Sequence, residues 1–89
     1  NSITAVGVET VAGGTANDTV TFTAAVSGTS IDLGAGTQDK IILADAVNTL
    51  SLNATVETVV GGTLADSITL TAAVTGGIYQ LGSGTDTLT

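Results

Sequence analysis

Apolar and polar residues alternate along two clear stretches of the chain, each of which begins just after an aspartate. The apolar positions on one side are Val20, Phe22, Ala24 and Val26 in the first stretch and Ile68, Leu70, Ala72 and Val74 in the second. A period of two with one apolar face is typical of a half-buried β-strand. The 18 threonines and 12 glycines, with only two glutamates and one lysine, also favour strands and turns over helices. The sequence therefore predicts an all-β chain.

An internal repeat organises these strands. The segment 8–37 aligns without a gap with the segment 56–85, and 18 of the aligned positions are identical. A fixed period of this kind indicates a solenoid, a propeller or another repeat array. We expect one repetitive segment over residues 1–89, made of two sequence repeats at about 1–47 and 48–89 and belonging to a longer repeat array.

A shorter unit recurs inside the repeat: glycines, a short gap, an aspartate and an alternating strand. Its four aspartates are Asp18, Asp39, Asp66 and Asp86, and the interval between the second and the third is the longest. Their spacing suits a coil of two or three short strands and is short for a four-stranded propeller blade. The sequence predicts a right-handed parallel β-solenoid of about four coils, with all four Gly/Asp turns stacked on one edge.

Charge excludes several classes of function. The net charge is −7, and Lys40, expected to be solvated, is the only cationic side chain. Nucleic acids and anionic membranes both require clustered Lys or Arg, so neither is an expected partner. The chain lacks Cys and His, which removes disulfides, thiolate metal sites and imidazole-based catalysis. No apolar run approaches the length of a membrane span, so membrane insertion is not expected.

The turns resemble the calcium-binding nonapeptide of repeats-in-toxin (RTX) proteins, glycine-glycine-x-glycine-x-Asp-x-aliphatic-x. The segment from Gly82 to Asp86 fits this pattern from its second position onward, whereas Ala16 and Leu64 replace a glycine in two other turns and Gln38 is an extra residue in the fourth. The resemblance implies a calcium site at these turns. Its residues would be Asp18, Asp39, Asp66 and Asp86 with Gly13, Gly14, Gly34, Gly36, Gly61, Gly62, Gly82 and Gly84.

The sequence of the whole repeat, with VETV before the glycines and LGAGT later, is similar to repeats in very large secreted bacterial surface proteins of the adhesin or surface-layer kind. This likeness implies an extracellular or cell-surface location. The same turn residues also make sense without a metal, because Asp side chains accept hydrogen bonds from nearby backbone N–H groups. Both interpretations stay open from sequence alone.

Other polar residues have simpler expected roles. Glu9 and Glu57 occupy equivalent positions and lie either on a solvated strand face or near a metal. Asp32 and Asp45 are expected at the surface, with the strand ending before Asp45. Tyr79 replaces Ile31 in the second repeat and is expected in the core.

Three function classes remain. The first is a structural, non-catalytic module of an extracellular bacterial surface or fibre protein, which contacts neighbouring repeats or identical subunits stacked end to end. The second is a metal-independent β-filament subunit. The third is an ice-binding or adhesive face formed by threonine rows, which are Thr19, Thr21 and Thr23, then Thr69 and Thr71, then Thr85, Thr87 and Thr89. The acidic residues recur with the repeat instead of converging once, so the sequence predicts no enzyme.

Overall fold

The computed structural model describes residues 1–6, 10–53 and 55–89, and these residues form ten short strands and no helix. The strands are β1 (Ser2–Ala5), β2 (Thr10–Gly14), β3 (Thr19–Phe22), β4 (Ser27–Gly34), β5 (Lys40–Ile42), β6 (Asn48–Leu52), β7 (Thr58–Val60), β8 (Asp66–Leu70), β9 (Ile78–Gln80) and β10 (Thr87–Leu88). The all-β prediction is therefore confirmed. The predicted role of Glu9 concerns a residue outside these ranges.

Successive strands alternate between two parallel five-stranded sheets. The odd sheet has the order β1-β3-β5-β7-β9, and the even sheet has the order β2-β4-β6-β8-β10. Ser2 pairs with Thr19 and Ser27 pairs with Thr49, so each of these intervals is one full coil, made of two strands and two turns. The path from β1 to β9 passes around the solenoid axis four times. The predicted β-solenoid of about four coils is therefore confirmed.

The core lies between the two sheets and consists of columns of inward side chains. In the odd sheet, Val20, Ile41 and Val59 stack on one another and are fully buried. In the even sheet, Leu50 stacks on Ile68, and both are almost fully buried. One coil holds too few apolar residues for a core of its own, so stacking supplies the burial that stabilises the fold.

The predicted alternation is confirmed within the strands and at Val26, which is buried, and is wrong at two alanines beyond the strand ends. Val20 and Phe22 are buried, but Ala24 is exposed because β3 ends at Phe22 and the chain turns there. Ala72 is exposed for the same reason, since β8 ends at Leu70. The strand before Asp45 ends at Ile42, as expected.

The sequence repeat spans two and a half coils. The alignment of the two repeats takes β2 to β7 and β3 to β8, a step of five strands. Five is an odd number, so equivalent segments of the two repeats lie in opposite sheets. A half-coil, one strand with its turn, is therefore the structural unit.

The expectation that all four Gly/Asp turns stack on one edge is wrong. Asp18 and Asp39 directly precede odd-sheet strands, whereas Asp66 begins, and Asp86 directly precedes, an even-sheet strand. The turns therefore occupy two opposite edges, two on each. The interval between Asp39 and Asp66 is longer than a coil because the pattern changes edge there.

Candidate functional site

The first edge carries a chain of hydrogen bonds between coils, here named the odd-edge ladder, formed by Asp18, Asp39 and Glu57. The backbone N–H of Asp18 donates to Asp39 Oδ1 at 2.7 Å, and that of Asp39 donates to Glu57 Oε2 at 2.7 Å. The ammonium group of Asn1 lies 3.3 Å from Asp18 Oδ1, one coil earlier. Each acidic side chain thus interacts with an N–H group of the coil before its own.

The opposite edge carries an even-edge ladder, formed by Asn48, Asp66 and Asp86. Val26 N–H donates to Asn48 Oδ1 at 3.0 Å, and Asp66 N–H donates to Asp86 Oδ1 at 2.9 Å. Between them, the Asn48 amide donates to Asp66 Oδ1 at 2.8 Å. The same amide also donates to the Ala46 carbonyl oxygen of its own coil at 2.8 Å. Through its bonds with Val26 and Asp66, Asn48 joins three successive coils.

The side chains of both ladders point inward, in line with the core. Asp18, Asp39, Asn48 and Asp66 are each at most 1 % exposed, because each stands two residues before the first core residue of its strand. Asp86, in the last coil, is half-buried. The edges are therefore closed by buried polar groups, which stabilise only when they have hydrogen-bond partners.

Glycines make room for the carboxylates in the turns. A Cβ atom on Gly13 would lie 2.6 Å from Asp18 Oδ2, and one on Gly61 would lie 2.4 Å from Asp66 Oδ2. Asp18 Oδ2 also accepts the N–H of Gly14 at 2.9 Å, and this bond is the main reason that the pKa of Asp18 is lowered. The Gly/Asp motif is thus a turn in which the carboxylate packs against the backbone that it caps.

Gly36 has the same relationship to Asp39, since a Cβ there would lie 2.3 Å from Asp39 Oδ1. Of the eight glycines predicted at these turns, three adopt the left-handed conformation, with φ of 89° at Gly34, 85° at Gly82 and 124° at Gly84. Gly13, Gly36 and Gly61 instead allow the close approach of a carboxylate.

The acids predicted at the surface are exposed and also bond between coils or within a turn. Asp45 Oδ1 accepts the backbone N–H and the hydroxyl of Thr63, both at 2.6 Å, and the Thr63 hydroxyl bond is the main cause of a lowered Asp45 pKa. Asp32 accepts the N–H of Gly34 at 3.0 Å. The Asn53 side chain is the main cause that lowers the Asp32 pKa.

Among the residues that the structure describes, three buried carboxylates retain one oxygen without a hydrogen-bond partner: Asp18 Oδ1, Asp39 Oδ2 and Asp66 Oδ2. For Asp18 Oδ1 the nearby Asn1 ammonium provides an ion pair. A buried charged oxygen is costly unless a proton, a water or a cation accompanies it. These oxygens are therefore the candidate cation ligands of the turns.

Calcium requires six to eight oxygen ligands, and the turns supply one carboxylate per coil. Within residues 1–6, 10–53 and 55–89, no three acidic, His or Cys side chains converge on a common point. Backbone carbonyls would have to complete the shell. The calcium site stays a prediction.

A shallow cavity of about 510 Å³ lies beside the odd-edge ladder, and its lining includes Lys40, Glu57 and Ile78. Lys40 is half-buried at this cavity instead of fully solvated. Among the described residues, Glu57 is the only carboxylate on its lining. Glycoside hydrolysis by acid–base catalysis typically uses two carboxylates, so this lining does not supply that pair.

Sequence reasoning missed Asn48 and placed Glu57 on a solvated strand face or near a metal, without its role in the odd-edge ladder. Asn48 stands before Leu50 and Leu52 just as Asp18 stands before Val20 and Phe22, but no glycine turn precedes it. Glu57 stands out in the sequence only because it repeats Glu9. The usable signal is any polar residue two positions before the first core residue of a strand.

Comparisons of the chain with models of protein families, with curated proteins and with solved structures gave no match in any of the three. The described residues include no helix with the length and apolar character that a membrane span needs. The likeness to RTX repeats therefore depends on the turn residues alone.

Proposed function

We propose that this chain is a structural, non-catalytic repeat module of an extracellular bacterial surface or fibre-forming protein. The observation that carries the proposal is the pair of ladders, because the acidic and amide side chains at the edges are engaged in bonds between adjacent coils. Acids that serve catalysis would instead converge on one substrate. The cell-surface setting is supported by the likeness of the longer repeat to repeats in very large secreted bacterial surface proteins.

Calcium would act in this module as a staple and not as a catalyst. It would bind at the oxygens of Asp18, Asp39 and Asp66 that accept no hydrogen bond and relieve the burial of their charge. The backbone N–H groups of the ladders need only an oxygen acceptor and not a charge, since neutral Asn48 accepts the N–H of Val26. The module therefore has a metal-independent framework to which calcium adds stability.

Two substitutions of Asp39 separate the framework from the metal. Asp39→Asn keeps an acceptor for Asp18 N–H and removes the charge, whereas Asp39→Ala leaves that buried N–H without a partner. Thermal unfolding in chelator, followed by circular dichroism, measures the stability of both variants. The free energy of unfolding of Asp39→Ala should be about 1–3 kcal/mol below that of the original chain. That of Asp39→Asn should be closer to the original value.

The same measurement with added calcium tests the staple. We expect the unfolding temperature of the original chain to rise with calcium and that of Asp39→Asn to rise less. An unchanged temperature in both would refute the calcium role. An Asp39→Ala variant as stable as the original would refute the structural role of the ladder, and hydrolysis of a polysaccharide by the folded chain would refute a non-catalytic module.

A second candidate function, binding of ice or another ordered surface, is favoured by the outer face of the even sheet. Hydroxyl side chains there form two rows along the solenoid axis, Ser27–Thr49–Ser67–Thr87 and Thr10–Ser30–Ser51–Thr69. Neighbours within a row are about 4.8 Å apart. Of the predicted threonine row Thr19, Thr21 and Thr23, the first two lie in the odd sheet, where Lys40 follows Thr19 and Ile42 follows Thr21 in the next coil, so hydroxyl side chains do not continue along the axis there.

An ice-recrystallisation assay tests this second candidate. Thr49→Lys lies in the middle of one row and should abolish inhibition, while Thr58→Lys on the odd sheet should leave it unchanged. No inhibition by the original chain would exclude ice binding.

A further inference from the structure

The cavity beside the odd-edge ladder lies between two turns of unequal length. The turn before β9, residues 71–77, is longer than the turn before β5, residues 35–39, and β7 lies between these two strands in the odd sheet. Thr37 of the shorter turn, Thr75 of the longer turn and Thr58 of β7 all line the cavity. Its volume of about 510 Å³ is within the range of small-molecule sites in proteins, about 300–1,000 Å³.

The lining contains residues at which the sequence departs from its own repeat. Gln38 is the extra residue in one of the four turns, and Lys40 follows Asp39 where Thr or Ser follows the other three turn aspartates. Ile78 occupies the position that Ser30 has in the first repeat. The three side chains of Gln38, Lys40 and Ile78 line this one cavity. Departures from a regular pattern that converge on one place favour a functional site over a part of the framework.

Two opposite charges face the cavity without neutralising each other. Lys40 and Glu57 both line it, and among the described residues no ion pair joins the Lys40 ammonium to a carboxylate. Glu57 Oε2 accepts the N–H of Asp39, which leaves Oε1 as the oxygen for a ligand. The cavity can therefore offer a ligand one positive and one negative partner.

Ile78 gives the same cavity an apolar wall. It is 55 % exposed, although Lys40 and Thr58 precede it in its row on the outer face of the odd sheet. Covering exposed apolar surface is favourable. A ligand that fits this wall has an apolar group next to its charged groups.

We infer that this cavity binds a small zwitterion, an α-amino acid with an apolar side chain. The carboxylate of the ligand pairs with Lys40, its ammonium pairs with Glu57, and its side chain covers Ile78. A ligand of one sign meets one attraction and one repulsion here, and the net charge of −7 also repels anions. A zwitterion meets two attractions and carries no net charge. This binding goes beyond the proposed structural function and does not rest on it.

An NMR titration of the isotopically labelled chain with leucine tests the site. Amide resonances of lining residues such as Thr58 and Thr75 should shift until saturation, while those of the even sheet should stay in place. N-acetylleucine has no ammonium and leucinamide has no carboxylate. Each should bind at least about tenfold more weakly than leucine, because each loses one charge-assisted hydrogen bond. Glycine should also bind more weakly, since it leaves Ile78 uncovered.

Two variants assign the two charges. Lys40→Met should weaken the binding of leucine at least about tenfold and should not weaken that of leucinamide, which has no carboxylate. Glu57→Gln keeps an acceptor for the Asp39 N–H. It should weaken leucine by a similar factor and should not weaken N-acetylleucine. Asp32→Asn is the matched control for the lost charge, since Asp32 is not on the lining, and it should bind leucine like the original chain.

Three results would overturn this inference. If leucine shifts no resonance of the cavity even at its solubility limit, the site does not exist. Equal binding of leucine and its two derivatives would refute the recognition of both charges. A Lys40→Met chain that binds leucine like the original would refute the pairing with Lys40. Each of these results can occur in a folded chain, so none of them contradicts the structural function, which the unfolding measurements on the Asp39 variants test separately.

Discussion

Gly34 lies directly against the Gly14 carbonyl of the preceding coil: a Cβ atom on Gly34 would be 1.9 Å from that oxygen. The second repeat contains the same relationship between Gly82 and Gly62, also at 1.9 Å. Coils therefore approach each other through glycine at these turns. Gly34 and Gly82 are explained by this contact without reference to any metal.

Gly34→Ala should destabilise the chain strongly. The backbone at Gly34 is left-handed, which costs an alanine about 1–2 kcal/mol, and the clash with Gly14 adds to that cost. Gly14→Ala is the matched control, because a Cβ there would meet no atom within 4 Å. Urea unfolding measures both free energies, and equal stability of the two variants would refute the close-approach argument.

Adjacent residues of β5 should differ sharply in their contribution to stability. Ile41 is fully buried between Val20 and Val59, whereas Ile42 points outward and is half-buried. Ile41→Ala should lower the free energy of unfolding by about 2–5 kcal/mol, and Ile42→Ala should cost clearly less. A larger loss for Ile42→Ala in chemical unfolding would mean that the two faces of β5 are assigned wrongly.

Local patterns predicted much of this fold, and the positions where they failed have physical causes. The alternation of Val20 and Phe22 and the exposure of Asp32 between Ile31 and Leu33 follow from the period-two rule, and the structure agrees. Ala24 failed because apolar character alone does not tell where a strand ends. In the sequence, a small apolar residue such as alanine looks the same whether it lies in a turn or in the core.

The edge assignment of the turns could not be read from the repeat. Asp18 and Asp66 are equivalent in sequence and lie on opposite edges, because the repeat contains an odd number of strands. Counting strands per repeat requires the strand boundaries, which are the least reliable part of a sequence interpretation. The ladders could not be predicted for the same reason. The hydrogen bond between Asn48 and Asp66 can be inferred only when the number of residues in a coil is known.

Asn48 should be required as an amide. Its Oδ1 accepts from Val26 N–H and its Nδ2 donates to Asp66 Oδ1, so an aspartate at this position would place two carboxylates together in a buried site. Asn48→Asp should therefore destabilise the chain by at least about 1–3 kcal/mol.

Asn17→Asp is the control for this substitution. Asn17 is exposed and its Oδ1 only accepts, from the N–H groups of Thr37 and Gln38, so a carboxylate keeps both bonds. Thermal unfolding should place Asn17→Asp near the original chain. An equal loss for the two variants would show that the even-edge ladder has no special need for an amide at this rung.

Acid should weaken the fold through its hydrogen-bonded carboxylates. The pKa values of Asp18, Asp32 and Asp45 are lowered from 3.8 by bonds that Gly14, Asn53 and Thr63 donate to them. A carboxylate with a lowered pKa in the folded state stabilises that state above the pKa of the unfolded chain. The stabilisation is lost as pH falls below about 4 and through the lowered values.

Urea unfolding at a series of pH values between about 6 and 2 measures this loss. The free energy of unfolding should be nearly constant at the upper end and should fall steeply in the acid range. Asp45→Asn keeps an acceptor for Thr63 but cannot be protonated there, so its curve should fall less steeply than that of the original chain. If the original chain unfolds with the same free energy at both ends of this pH series, these hydrogen bonds do not stabilise the charged carboxylates, and the explanation of the edges in terms of carboxylate acceptors is wrong.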